Sequence, residues 1–470
     1  MVLKNKKMFF FYGALCVCGL PLYGSNQQLS SSNNEIVSAE DLSFQVIRSN
    51  GKQGPVQHSP VKALIVCLGK KNDQLEQFAK VVKFDLDFTD QLLVDIQRAD
   101  KMLDEKNLTH LLSEKETSLC IYMEPVFEKK RRKKISQVHV FAKDTSSQAN
   151  VFDKTFSCDK KKIVFDGHKV SQELLPALTG QEGIALSSLV YCKQMSSKKK
   201  VLCIADYACR KEQSIIPRFG VNVAPRWHNK APFLFYSQFT NDRCRLMSLD
   251  LKTKRERVIC SYEGLNMQPS FSPDGTQAVL CMSGRSGNSE LYLYDQRLCN
   301  KLKRTVYRQI TWNKGNNASP CLLPNGNVAF CSDFQGGNPQ LYYHRKSDKK
   351  VFRLSDGVSY CAAPAYCPRK NALVYTRFLG DVYQLFTMTF TDRGVVEQQC
   401  TFNEGDKLDA SWSPCGNYIA FTFDFKNKKT GKRIPQIGVF NCLSGKIRVL
   451  THDKYPKSFP DWTASSFYQL

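Results

Sequence analysis

Apolar and polar positions alternate with period two along most of the second half of the chain, and one recurring phrase punctuates the alternation. A Pro or Ala is followed two residues later by a large apolar residue, then by a turn and an alternating strand. The phrase occurs at Pro225-Arg226-Trp227, Pro269-Ser270-Phe271, Pro320-Cys321-Leu322, Pro364-Ala365-Tyr366, Ala410-Ser411-Trp412 and Pro460-Asp461-Trp462. The apolar anchors are 44, 51, 44, 46 and 50 residues apart. A self-similar period in the forties, without helical patterning, is the pattern of a β-propeller with one four-stranded blade per repeat.

The clearest copy spans residues 268–283. There Pro273-Asp274-Gly275 supplies a turn, Pro presetting φ and Gly taking a positive φ without steric cost. Strands follow at 277–281 and 290–295, with a hairpin loop over 284–288. The third and fifth copies repeat the turn as Leu323-Pro324-Asn325-Gly326 and Ser413-Pro414-Cys415-Gly416, whereas the first and fourth lose the Asp-Gly and keep the strands. Six anchors predict six blades over 199–470, with five or seven as alternatives. Only eight residues follow Trp462, so the last blade needs strands from elsewhere. Segments 200–207 and 213–217 are expected to pair with a C-terminal strand at 459–467 and close the ring, removing an exposed sheet edge.

Residues 42–198 read as a separate α/β domain, so the predicted fold is a small α/β domain followed by a six-bladed propeller. Strands are expected at 42–47 and 63–68. Leu75, Phe78, Val81, Val82 and Phe84 place an amphipathic helix over 73–86, and a short helix at 172–178 stops at Thr179-Gly180. Residues 25–41 are rich in Ser and Asn and read as a flexible linker. Residues 1–24 have the form of a secretory signal: Lys4, Lys6 and Lys7, then an apolar run over 8–20 too short to span a bilayer. Cleavage is expected near residue 24. Cys16 and Cys18 lack the preceding small-residue pattern that lipoprotein processing requires.

Net charge is +24, which points toward anionic partners. Most lysines are scattered, and the one dense block is Lys129-Lys130-Arg131-Arg132-Lys133-Lys134, between expected strands at 118–123 and 137–142. It reads as a solvated hairpin tip or as a docking patch for an anionic surface. No aromatic residue interleaves the run, which argues against nucleic acid. Of 19 cysteines, 17 follow the signal, an odd number, and none forms a C-x-x-C pair. Cys203, Cys281 and Cys331 sit at strand positions suited to a small apolar side chain, so most read as buried thiols. Some bridges stay open in an oxidising compartment.

Catalytic patterns are missing from the sequence. A propeller-linked serine peptidase needs a G-x-S-x-G elbow, and Gly284-Arg285-Ser286-Gly287-Asn288 lacks the final glycine. The seven histidines show no metal-ligand spacing, and there is no phosphate loop or dinucleotide fingerprint. The expectation is a non-enzyme without cofactor or metal. A carbohydrate- or peptide-binding propeller is the alternative, with Trp227, Tyr360 and Phe459 near the channel mouth.

Four segments carry a family resemblance: Leu178-Thr179-Gly180-Gln181-Glu182-Gly183, Leu189-Val190-Tyr191, Leu202-Cys203-Ile204-Ala205-Asp206-Tyr207 and Phe459-Pro460-Asp461-Trp462. Together with the Pro-Asp-Gly repeats they make the chain resemble the TolB family of periplasmic Tol-Pal proteins, from about residue 42 to the end and most strongly after 175. The resemblance implies a monomeric, non-catalytic periplasmic adaptor that supports envelope integrity and outer-membrane invagination at division. It implies that a Pal-type lipoprotein binds loops at the channel mouth (222–224, 265–268, 316–319, 360–363, 407–409 and 456–459). The family's Pal contacts match Leu265, Gln268 and Ala318, and Asn266, Asn316, Asn317 and Tyr360 lie in the same loops. It also implies that a TolA-type inner-membrane protein meets the N-terminal segment by strand addition, at Leu42, Phe44 and Val46. The stretch 25–41 displaces that free end, and the basic hairpin has no family role.

Overall fold

The computed structural model describes residues 46–48 and 59–467, apart from 100–116, 129–130, 148, 216–219, 284–286, 393 and 427–430. The expected signal and linker, and Leu42 and Phe44, lie outside these residues. Strand β1 (Val46–Arg48) opens the described chain. The α/β domain then contains β2 (Val61–Leu68), α1 (Asp73–Phe88), β3 (Leu92–Ala99), β4 (Leu119–Glu128), β5 (Arg131–Asp144), β6 (Asn150–Ser157) and α2 (Ile163–Thr179). Its sheet order is β3-β2-β4-β5-β6, parallel through β3, β2 and β4 and antiparallel beyond.

Helix α1 starts where the Asn72 side chain accepts the backbone N–H groups of Gln74 and Leu75. Its apolar face, Leu75, Phe78, Ala79, Val82 and Leu86, is buried on the sheet against Ile65, Val94, Ile121 and Val140. Burial of side chains this size is worth about 1.5–3 kcal/mol each. Helix α2 extends nine residues further toward its N-terminus than the apolar pattern predicts. Gly167 and His168 interrupt that pattern for a packing reason. A Cβ at Gly167 would run into the Val81 side chain, so the glycine sets the approach of the two helices. Gly180 ends α2 in the left-handed region, at φ 69°.

Six blades follow, as the anchors predict. Their inner strands are Val221–Trp227, Asn266–Phe271, Asn317–Leu322, Cys361–Cys367, Lys407–Trp412 and Lys457–Thr463, each packed against the next around the channel. Ring closure differs from expectation in one strand. The C-terminal strand pairs with β7 (Ser188–Ser196), which pairs with β8 (Lys199–Asp206), which pairs with β9 (Glu212–Ile215). The propeller therefore begins near Ser188 and not at 199. The apolar segment around Leu189-Val190-Tyr191 belongs to the sixth blade, where two neighbouring blades bury it on both faces.

Strand β1 also departs from expectation. It does not join the α/β sheet but pairs in parallel with Gly394–Gln399, the outer strand of the fourth blade, Val46 opposite Val395. An outer propeller strand leaves one row of N–H and C=O groups unpaired, and an extended segment can take them up without particular side chains.

The two domains meet at the C-terminal end of α1. Phe88 packs edge-on to Tyr207, 4.9 Å between ring centroids, and lies 5.8 Å from Tyr418. Arg448 donates to the carbonyl of Phe88 at 2.7 Å, and Asn441 to that of Thr89 at 2.8 Å. Deeper in the joint, the buried Asp85 carboxylate joins Tyr207 Oη at 2.6 Å to His168 Nδ1 at 2.8 Å. Of the Asp206-Tyr207 pair in the sequence, Tyr207 is thus an interdomain fastening, while the Asp206 carboxylate accepts the N–H groups of Ala208 and Arg210 in its own turn.

Candidate functional site at the propeller channel

The recurring phrase is the trace of a bulge. In every inner strand, the residue three before the anchor has a positive φ: Ala224 (49°), Gln268 (53°), Ser319 (49°), Ala363 (53°), Asp409 (53°) and Phe459 (56°). Ladder registers slip at the same place in all six blades. Proline follows in five of them, where a missing N–H breaks no ladder bond. The bulge turns short side chains toward the channel and toward the next blade. Left-handed non-glycine residues cost about 1–2 kcal/mol each, so surrounding contacts must hold them.

Those contacts repeat. Ser270 Oγ accepts the backbone N–H of Leu322 at 2.9 Å, Ser411 Oγ that of Trp462 at 3.1 Å, and Asp461 Oδ2 that of Trp227 at 2.8 Å. The Trp412 and Trp227 indoles donate back to the carbonyls of Ala365 and Asp461 at 3.1 and 3.0 Å. Thiols take part too: Cys281 and Cys331 donate to the carbonyls of Asn317 and Cys361 at 3.2 and 3.3 Å. Every cysteine among the described residues is a free thiol, most of them buried.

At the anchor end, the channel holds a cavity of about 530 Å³ whose polar lining includes Arg226, Gln268, Ser319, Asp409, Ser411 and Asp461. Arg226 lies 3.7 Å from Asp461. Burial pushes the Asp409 carboxyl up to about 7, against the opposing pull of Arg226, a hydrogen bond from Thr422 and the charge of Lys200. Burial raises Asp461 as well, with Arg226 and the N–H of Trp227 pulling the other way.

At the other mouth the inner strands begin, and here lie the residues expected to bind a partner. Their positions divide into two groups. Leu265, Asn316, Ala318 and Tyr360 are part-exposed. Tyr360 meets Tyr383 edge-on at 5.6 Å, and the Asn316 backbone N–H is held by Asp333 at 2.6 Å. Asn266 and Asn317 are fully buried and face inward. Asn266 donates to the carbonyls of Tyr262 and Cys244 at 2.7 and 3.0 Å, and Asn317 donates to Glu290 and Asn313 at 2.9 and 3.0 Å. These two shape the loop from beneath and present no side chain to a partner. Gln268 is buried, lies on the channel wall and accepts the Ser319 N–H at 3.2 Å.

The same first position of the inner strand carries Asn222 in blade 1, Lys407 in blade 5 and Lys457 in blade 6. Lys407 donates to the carbonyls of Asn403 and Glu404, and Lys457 to Asp453 and the carbonyl of Tyr455. Burial lowers the Lys407 ammonium to about 8. Two residues earlier, Gly220, Gly264, Gly315 and Gly405 press against the end of the second strand so closely that a Cβ would strike it. Neither feature was picked out from the sequence, although the glycine seven residues before four of the six anchors is a readable signal.

The model for the TolB beta propeller domain family matches residues 175–378. A Tol-Pal system protein TolB of Francisella tularensis subsp. holarctica (strain OSU18) is 27% identical over 265 residues, 54% of this chain and 59% of that protein. The counterpart in Francisella tularensis subsp. mediasiatica (strain FSC147) shares the same identity and coverage. The match therefore spans less than two thirds of these relatives' length. The crystal structure of TolB from Acinetobacter baumannii superposes with a TM-score of 0.73 at 21% identity, covering 87% of this chain and 98% of that one, which shows a common fold. With its six bulged blades and its closing C-terminal strand, the chain carries a propeller that matches the TolB beta propeller domain over residues 175–378 and shares its fold with TolB from Acinetobacter baumannii.

Proposed function

We propose that the protein is a non-catalytic periplasmic adaptor of the Tol-Pal system, holding a Pal-type lipoprotein at the propeller mouth and a TolA-type inner-membrane protein through its N-terminal segment. The observation that carries this reading is the mouth itself. Five of the six loops are pinned from below by a buried Asn or Lys side chain, the fourth blade having Cys361 at that position, and the rim presents Leu265, Asn316, Ala318 and Tyr360. A rigid, composite rim suits a protein partner better than a small substrate. Support for the second contact is that the β1 backbone pairs in parallel along a propeller edge, and backbone pairing of that kind can also extend a partner's sheet. Coupling the two partners in this way would support envelope integrity and invagination during division.

A pull-down of the chain with the Pal-type and TolA-type domains of the same genome tests the reading. Ala318→Arg with Leu265→Glu is expected to abolish Pal capture alone, and deletion of residues 25–48 to abolish TolA capture alone. Capture of neither domain by the unaltered chain would overturn it. The cavity at the anchor end favours a second reading, a propeller that binds a peptide or carbohydrate within the channel.

A further inference from the structure

The α/β domain has two unlike ends. Helix α1 delivers its C-terminus, Phe88 to Asp90, into the propeller, so the other end of the domain, about 24 Å away along the helix, faces outward. Strand directions bring four segments to that outer end: the turn after β2, the start of α1, the β4–β5 hairpin and the turn from β6 into α2. Three of these are basic. Lys70 and Lys71 follow β2, and Lys160, Lys161 and Lys162 precede α2, all five exposed. Between them β5 opens with Arg131-Arg132-Lys133-Lys134. Its pairing with β6 ends at Gln137, and the pairing of β4 with β2 ends at Met123. The end of β4 and the start of β5 beyond those points therefore project past both neighbouring strands.

Exposed apolar residues accompany the charge: Val126 (38%) and Phe127 (43%) on the projecting part of β4, and Val164 (44%) at the start of α2. Asp73, Glu124 and Asp159 are exposed on the same end, against the five exposed lysines Lys70, Lys71, Lys160, Lys161 and Lys162. Asp159 is engaged locally, accepting the Lys161 N–H at 2.9 Å.

We propose that this outer end is a docking surface for an anionic lipid bilayer. Exposed lysines on two segments, a basic run on a third and a few exposed apolar side chains at the same end match a headgroup plane with shallow apolar insertion. The basic run in β5 has no period-two alternation, which a ribbon laid against a shaped acidic protein would show. It has no interleaved aromatics, which a nucleic-acid platform would show. The surface lies at the opposite end of the domain from the propeller, so docking leaves the channel mouths free. The inference does not rest on the partners proposed above.

The test is flotation with vesicles of phosphatidylglycerol and phosphatidylcholine, and of phosphatidylcholine alone. It uses a chain starting at residue 25, which keeps every described element and removes the apolar run at 8–20. Binding to the anionic vesicles alone is expected, weakening as salt rises. Each basic residue near the surface contributes about fivefold to partitioning. Arg131→Gln, Arg132→Gln, Lys133→Gln and Lys134→Gln together should therefore lower binding more than tenfold with the melting temperature unchanged. Lys252→Gln with Arg255→Gln, exposed on the propeller, should leave it unaltered. Phe127→Ser should weaken binding without changing its salt dependence. Unchanged binding in the folded quadruple variant, or no binding to anionic vesicles by the parent, would overturn the proposal. So would tighter binding to a single-stranded oligonucleotide at the same salt.

Discussion

The carboxylate of Asp461 accepts the backbone N–H of Trp227 at 2.8 Å, joining residues 234 positions apart in the chain. This is the bond that links the last blade to the first. Ser270 and Ser411 make the same link between other blades with a hydroxyl. Asp461 differs in also facing Arg226 at 3.7 Å and accepting from Ser411 at 3.2 Å.

Asp461→Ala removes the acceptor and leaves Arg226 and the Trp227 N–H without it in a buried setting. A loss of about 3 kcal/mol is expected in urea unfolding. Asp461→Ser should recover part of that loss, because serine does the same work in blades 2 and 5. Equal losses for the two variants would mean that the Arg226 pairing, and not the ring-closing bond, dominates.

The glycine before each mouth loop can be tested by comparison. At Gly405 φ is +83° and a Cβ would meet the carbonyl oxygen of Asp424, whereas at Gly336 φ is also +83° and a Cβ meets open space. Both alanine variants pay for the left-handed backbone, about 1 kcal/mol. Only Gly405→Ala adds a backbone collision, so it should be the less stable by a further 1–3 kcal/mol or so. Differential scanning calorimetry of the pair measures the difference.

Much of the propeller was legible because its anchors repeat in order as well as in spacing. Where the repeat has drifted, the structure substitutes one device for another. Copy one lost its Asp-Gly, and His228 Nδ1 accepts the N–H groups of Lys230 and Ala231 in its place. In copy four, Asn371 takes the left-handed position at φ 45°. Strand β7 was misassigned because pairing between residues as far apart as Ser188 and Thr463 leaves no local trace; an apolar run reads alike beside a helix or inside a blade. The mouth was harder still. Asn266 and Asn317 look like surface loop residues, and only tertiary contacts reveal that they are buried pins. The chemistry of β1 was equally invisible, since parallel backbone pairing places no demand on side chains.

The joint between domains should behave as a single cooperative fastening. Asp85 is the shared acceptor for Tyr207 and His168, each within 2.8 Å, and lies beneath the Phe88 ring cluster. Asp85→Ala is expected to cost about 3 kcal/mol and to split one thermal transition into two, as the α/β domain loses its hold on the propeller. Tyr207→Phe removes one bond of the pair and should cost about 1 kcal/mol within a single transition.

Stability should also depend on pH through the channel wall. The folded-state pKa of Asp409 is raised to about 7 by burial, while an unfolded aspartate titrates near 3.9. Between those values the native state holds the proton and the unfolded state has lost it. Stability contributed by the protonated group is therefore present at low pH and is lost as pH rises toward 7, with a slope of up to about 1.4 kcal/mol per pH unit. Asp461, raised in the same direction, acts with the same sign, and Arg226 and Lys200 limit both effects. Asp409→Asn removes the ionisation while keeping an acceptor for the Thr422 hydroxyl, now 3.1 Å away. The variant should be close to the parent near pH 4 and more stable than it at pH 8, by a few kcal/mol at most. Urea titrations at the two pH values decide the matter. A variant less stable than the parent at pH 8 would mean that the ionised carboxylate is held by Arg226 and Lys200 more strongly than burial opposes it.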